Sequence, residues 1–212
     1  MRSLTRRTAL VAAATTAALS LTLTACGSDD GGGKSGHSGH DSTKTTASAS
    51  ASAPSGKHNK ADVSFAQGMI PHHRQAVEMA DLAATRASSG TVKKLAAAIK
   101  KAQDPEIRTM SGWLKAWGED VPEAMPGMDH SQHEGMPGMM SSKEMEELKK
   151  ASGAAFDTAF LKMMVQHHKG AVEMAGTEKR EGAYGPAKTM ADDIIKAQNE
   201  EITEMNKLLG KG

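Results

Sequence analysis

Two His-His pairs, His72-His73 and His167-His168, each sit three residues after a methionine and five residues before a Glu-Met-Ala triplet. On a helix, residues three or four apart share a face, so Met69 with His72 and His73, and Met164 with His167 and His168, can each converge from one turn. Thioether and imidazole together are a soft ligand set, which selects copper(I), or silver as its mimic, over magnesium, calcium or manganese. Met79 and Met174 lie seven residues beyond the first histidine of each pair and extend the candidate set on the same face. A plainer reading uses the same histidines with Glu106 and Glu201: His72 facing one glutamate and His167 the other, as buried hydrogen-bond pairs that fix helix register. A buried carboxylate needs such a partner, because an unpaired one takes up a proton instead.

The elements that must position these groups are duplicated. The segments Phe65 to Ala80 and Phe160 to Ala175 match at nine of sixteen positions, and at the same offset of 95 Ala102, Gln103, Glu106, Ile107 and Met110 correspond to Ala197, Gln198, Glu201, Ile202 and Met205. Apolar residues recur at three- and four-residue steps. The first segment reads Phe65, Met69, His72, Ala76, Met79 and Ala83, and its companion reads Leu95, Ile99, Ala102, Glu106, Met110 and Trp113. The second copy repeats both stripes, which predicts four amphipathic helices in two hairpins. Short connections favour antiparallel neighbours, so the expected fold is all-α, an antiparallel four-helix bundle built from a duplicated hairpin.

Caps are expected at Asp62, at Thr91 after Ser88-Ser89-Gly90, and at Ser141-Ser142-Lys143-Glu144, with Pro186 in a first helical turn. Pro71 predicts a kink beside His72, or a helix that begins there. The hairpins are expected at 61–117 and 141–212, as one domain joined by 118–140.

That joining segment has the most unusual composition in the chain. It carries Met125, Met128, Met136, Met139 and Met140 with His130 and His133, and the tetrapeptide Met-Pro-Gly-Met occurs twice. Methionine in a Gly- and Pro-rich loop has no evident packing role, so the tract reads as a copper(I) collector. The alternative is a flexible low-complexity linker. Glu78 and Glu173 fall off the histidine face and read as solvent-facing or interhelix salt-bridging positions. They also do not reproduce the Glu-x-x-His pattern of di-iron bundles. Arg74 and Lys169 read as solvated.

The N-terminus has arginines at positions 2, 6 and 7, an apolar stretch, and Leu23-Thr24-Ala25-Cys26. Residues 1–25 read as an export signal ending in a lipobox, with Cys26 as the lipidated first residue of the mature chain. Residues 26–60 are rich in Gly, Ser, Ala and Thr and read as a tether, with His37, His40 and His58 as linker histidines. The expected location is outside the cytoplasm, at the outer face of the cytoplasmic membrane through the lipid anchor, or periplasmic or extracellular. Cys26 is the only cysteine, which excludes thiolate catalysis and thiolate metal sites. A net charge of +1 gives no sign of nucleic-acid binding. Aromatic content is 3%, so the core must rest on Ala, Leu, Ile, Val and a supply of 15 methionines.

On the stretch from Met69 reading M-I-P-H-H-x-x-A-V-x-M-A, the Phe160 stretch F-x-x-M-x-x-H-H-x-G-A-V-x-M-A, and the A-Q-x-x-E-I segments from Ala102 and Ala197, the chain resembles the bacterial family called domain of unknown function 305. The resemblance covers roughly Ala61 to Leu209. It implies a ferritin-like four-helix bundle in an exported or membrane-attached protein, with Met69, His72, His73, Met164, His167 and His168 as ligand candidates. The characterised members it points to are periplasmic copper-resistance proteins that bind copper and silver.

The sequence thus predicts a lipid-anchored metal-binding protein, not an enzyme, whose partners are a metal ion and the membrane. The metal is copper(I), and the fold does not require it. Two other classes stay open: a helical interaction module whose His and Glu are hydrogen-bond pairs only, and a ferritin-like redox enzyme.

Overall fold

The computed structural model describes residues 56–123 and 135–210. It is all-helical, in the order α1 (Lys60–Arg86), α2 (Gly90–Trp117), α3 (Ser142–Lys150), α4 (Gly153–Glu181) and α5 (Gly185–Leu208). The four long helices are the four predicted by periodicity, and α3 is additional. The Ser141–Glu144 capping box does form. It starts α3, however, and the chain breaks at Ala151 and Ser152 before α4 begins. Among the described residues no helix is long and apolar enough to cross a membrane.

Local chemistry places the other ends with small corrections. Asn59, not Asp62, is the N-cap of α1: its side chain accepts from Ala61 and Asp62 amides, while the Asp62 carboxylate returns a bond to the Asn59 amide at 2.6 Å. Ser89, not Thr91, caps α2 by accepting from the Val92 amide. Pro186 lies in the first turn of α5 as expected, because its missing amide would have no partner there anyway. α1 runs through Pro71 from Lys60 to Arg86, so the helix does not begin there.

α1 packs on α2, α4 on α5, and the hairpins meet chiefly through α1 against α4. That central pair is antiparallel. Asn59 at the start of α1 donates to the Glu181 carbonyl at the end of α4, and Ala87 past the end of α1 bridges to Gly153 at the start of α4. A pseudo-twofold therefore relates the two copies across the α1–α4 contact.

The core is two apolar clusters with a polar layer between them. One joins the second half of α1 and the first halves of α2 and α4 through Met79, Ile99, Phe156, Phe160 and Met164. The other joins the opposite halves through Phe65, Met69, Met110, Trp113 and Ile194. His72, His73, Gln103, His167, His168 and Gln198 are all buried between them. The companion stripes turn slightly from expectation: Ala102 and Ala197 are exposed, and Gln103 and Gln198 take the inward positions.

Residues 135–140 form a strap across α1 and α4. Gln75 clamps it, donating to the Met140 carbonyl at 2.8 Å and accepting from the Met140 amide at 2.7 Å. Gly138, at φ +76°, and Gly170 let the strap backbone lie directly on α4. Met140 is 1% exposed and belongs to the first apolar cluster, so this methionine has a packing role that the loop composition did not reveal.

A Cβ at Gly170 would lie 1.9 Å from the Pro137 oxygen and 2.3 Å from its carbonyl carbon, so backbone would have to move. Gly170→Ala is expected to lift the strap, destabilising the fold by about 1–3 kcal/mol and exposing 135–140 to protease. Thermal melts and limited proteolysis would check this, and an unchanged melt with an uncut strap would contradict the close packing.

Candidate metal centre

The polar layer is assembled by the duplication itself. His72 and His73 on α1 meet His167 and His168 on α4, and the rings of His72 and His167 lie with centroids 3.7 Å apart, tilted by 38°. Each second histidine reaches its companion helix within the hairpin: His73 Nε2 to Glu106 Oε2 at 2.8 Å, and His168 Nε2 to Glu201 Oε2 at 2.6 Å. This corrects the expected pairing, since His73 and His168 face the glutamates while His72 and His167 face each other. The carboxylates are also less enclosed than a buried pair, with side chains 24% and 20% exposed.

These bonds dictate which nitrogens are free. A carboxylate only accepts, so His73 and His168 donate from Nε2, and with the ring in its neutral form each Nδ1 carries a lone pair. His72 Nε2 lies 3.1 Å from the Pro137 carbonyl oxygen of the strap, which likewise makes it the donor and leaves Nδ1 as the acceptor. All three Nδ1 atoms, both ring nitrogens of His167, and the Oε1 atoms of Gln103 and Gln198 are buried without a hydrogen-bond partner among the described residues. Apart from the one N–H of a neutral His167, every one of these groups presents a lone pair.

Burial holds the innermost imidazoles neutral. Loss of hydration, reinforced by His73, pushes His72 down to about 3, and burial together with the His72 ring holds His167 well below the ordinary histidine range. Neutral imidazole is the ligand form of histidine. Among the described residues, no three His, Cys, Asp or Glu side chains are arranged to hold a metal ion. A metal held here would therefore have few nitrogen ligands, supplemented by sulfur or amide oxygen. Such a donor set fits a soft monovalent ion better than zinc, whose structural sites take four ligands.

The other candidates fall into distinct places. Met69, Met79 and Met164 are buried in the two apolar clusters; Met69 and Met164 stand three residues before His72 and His167, and Met79 stands seven after His72. Met136, Met139 and Met174 are half-buried. Met125, Met128, His130 and His133 lie outside the described residues, as do Cys26, His37 and His40. Glu78 makes the expected kind of salt bridge, with Lys149 of α3 at 3.1 Å. Arg74 is not simply solvated, because its guanidinium donates to the Pro122 carbonyl at 2.6 Å. His58 stacks on Trp117 with ring centroids 4.4 Å apart. Sequence reading passed over Gln103 and Gln198 as site groups, although their repetition at the offset of 95 beside each Ala and Glu was a usable signal.

The buried neutral histidines have a measurable consequence. Unfolded, each regains a pKa near 6.5 and binds a proton that the folded state refuses, so stability is full above that value and is lost as pH falls toward the folded value of about 3 for His72. Two such groups give a slope approaching ~2.7 kcal/mol per pH unit below about pH 6. Urea unfolding of the metal-free protein at pH 7, 6 and 5 should show a falling midpoint, with a shallower fall in His72→Gln. A midpoint independent of pH would mean that the imidazoles are not held neutral.

The chain matches the family model described as domain of unknown function (DUF305) over residues 62–209. Among solved structures it is similar to a DUF305 protein from Streptomyces coelicolor, at 33% identity over 71% of this chain and 93% of that one, with a TM-score of 0.63. It is also similar to a DUF305 fragment from Deinococcus radiodurans, at 30% identity over 73% and 98% of the two chains and a TM-score of 0.63. A third similar structure is CopM in its copper(I)-bound form, at 32% identity over 69% of this chain and 94% of that one, with a TM-score of 0.57. No curated protein sequence matches. The duplicated His-His helices, their glutamate partners and the bundle that holds them are thus those of a member of the DUF305 family.

Proposed function

We propose that the protein is an exported, lipid-anchored binding protein, not an enzyme, that takes up copper(I) or silver(I) through histidine and methionine side chains. The observation that carries this reading is the set of lone pairs in the polar layer. Five imidazole nitrogens and two carboxamide oxygens are buried without partners among the described residues. A buried group left bare costs about 1–3 kcal/mol, so together they weigh as much as the roughly 5–15 kcal/mol by which a whole domain is stable. A cation matches groups that nearly all accept. Softness of the ion follows from the thioethers of Met69 and Met164, three residues before His72 and His167 on the same helices, and similarity to CopM, solved with copper(I), copper(II) and silver bound, supports the same ions. Export and anchoring rest on the leader and Cys26.

Within the layer, His72 and His167 would supply nitrogen to the ion. Glu106 and Glu201 would act one step back, holding His73 and His168 with Nδ1 free, which is the usual role of a carboxylate behind a metal-binding imidazole. A second reading has one observation in its favour: the His73–Glu106 and His168–Glu201 bonds are complete without any ion, as they would be in an interaction module.

Anaerobic competition titration separates the readings. Copper(I) is expected to bind the protein more tightly than micromolar, with zinc(II) and iron(II) much weaker. His72→Ala with His167→Ala should weaken copper(I) at least tenfold while circular dichroism stays helical. A lower melting temperature with unchanged copper(I) affinity would favour the structural reading. Glu106→Ala with Glu201→Ala should lower affinity by roughly 10- to 100-fold through the freed imidazoles.

A further inference from the structure

One divergence between the two copies leaves two thioethers beside a bare turn of α1. Gly68 on α1 and Met174 on α4 correspond, at the offset of 95, to Met163 on α4 and Met79 on α1. In the Met163 and Met79 copy the space is filled: Met79 is wholly buried in the first apolar cluster, and Met163 packs against that cluster. In the other copy the methionine of α1 is replaced by Gly68, and Met174 is only half-buried.

The strap enters where the side chain is missing. A Cβ on Gly68 would stand 3.0 Å from Met174 Cε and 3.8 Å from Met136 Sδ, so one thioether from α4 and one from the strap meet over the same bare turn of α1. Met174 lines a cleft of about 410 Å³ between the start of α1 and the end of α4, together with Pro137, Glu173, Glu178 and Glu181. The wall shared with the histidine layer is thin, since Pro137 faces this cleft while its carbonyl lies 3.1 Å from His72 Nε2.

We propose that Met136 and Met174, over Gly68, form a second soft-cation site beside the cleft that Met174 lines, separate from the histidine layer and divided from it by the Pro137 peptide. Two thioethers select a soft monovalent ion; of the other groups at the cleft, Glu173 and Glu181 share it with Lys60, and burial beside Asp62 pushes Glu178 up to about 8, so selection rests on the sulfurs and not on charge. Two sulfur ligands without imidazole hold an ion less tightly than a site that includes histidine. The cleft therefore suits capture and exchange, while the buried layer suits retention. The Met136 ligand rides on the strap that Gln75 clamps at Met140, so occupancy of the cleft bears directly on the peptide covering His72.

The inference rests on the soft-metal reading of the protein, and the test separates the two. Silver(I) is titrated into the full chain labelled with ¹³C at the methionine methyls, for wild type, for Met136→Leu with Met174→Leu, and for His72→Ala with His167→Ala. Leucine conserves volume, so the leucine variant is expected to keep the fold. The Met136 and Met174 methyl signals should shift together in the wild type and still shift in the histidine variant. The leucine variant should lose one equivalent of silver while its histidine ring signals still respond. Silver bound by the wild type with both methyl signals unmoved would overturn the cleft site and leave the histidine reading standing. If the wild type bound no silver at all, the soft-metal reading would fall and this site with it.

Discussion

A layer of imidazole and carboxamide groups cuts the apolar core in two, and the rest of the architecture follows from accommodating it. Four histidines and two glutamines lie between clusters that would otherwise merge into one core. Polar groups at such depth demand alignment: a shift of one residue along α2 would take Glu106 away from His73 and leave a buried ring and a carboxylate each without its partner. Apolar side chains tolerate small slips, whereas hydrogen-bonded pairs do not. The layer therefore sets the register of α1 on α2 and of α4 on α5. The apposed rings of His72 and His167 set the height at which the two hairpins cross.

The same layer explains why the partly exposed glutamates sit where they do. His73 and His168 place their Nε2 toward carboxylates near solvent, which keeps the charged member of each pair partly hydrated and the ring buried. The inner pair has no carboxylate partner among the described residues, and burial keeps those rings neutral. Ligand-competent nitrogen and structural stability are thus produced by one cause, the exclusion of water from the crossing point of α1 and α4.

Symmetry is complete in the histidines and glutamates but not in what covers them. Only one face receives the 135–140 strap, because only α4 has a glycine at position 170, where its counterpart on α1 is Gln75. Gln75 nevertheless serves the strap, by holding Met140 through both of its backbone groups. Two equivalent positions of a duplicated hairpin have diverged into a seat and a clamp for the same segment. Gly68 against Met163 is a second divergence of this kind, and both lie on the side of the bundle that the strap covers.

The duplicated pattern made much of this legible beforehand: the four long helices, the hairpin pairing, and the family of residues that meet at the centre all follow from a 3.6-residue period repeated at an offset of 95. Composition misled at Met140, because a Gly- and Pro-rich neighbourhood says nothing of where a well-clamped backbone delivers a side chain. Periodicity also could not choose within a His-His pair. Adjacent helical residues differ by about 100° in direction, and a core-facing stripe is at least that wide, so either ring fits it. The sequence by itself determined the helices, their duplication and the kinds of group brought to the core. Only the tertiary structure decided that His73 and His168 meet the glutamates while His72 and His167 meet each other, because that choice depends on the rotation of each helix about its own axis against a partner distant in the chain.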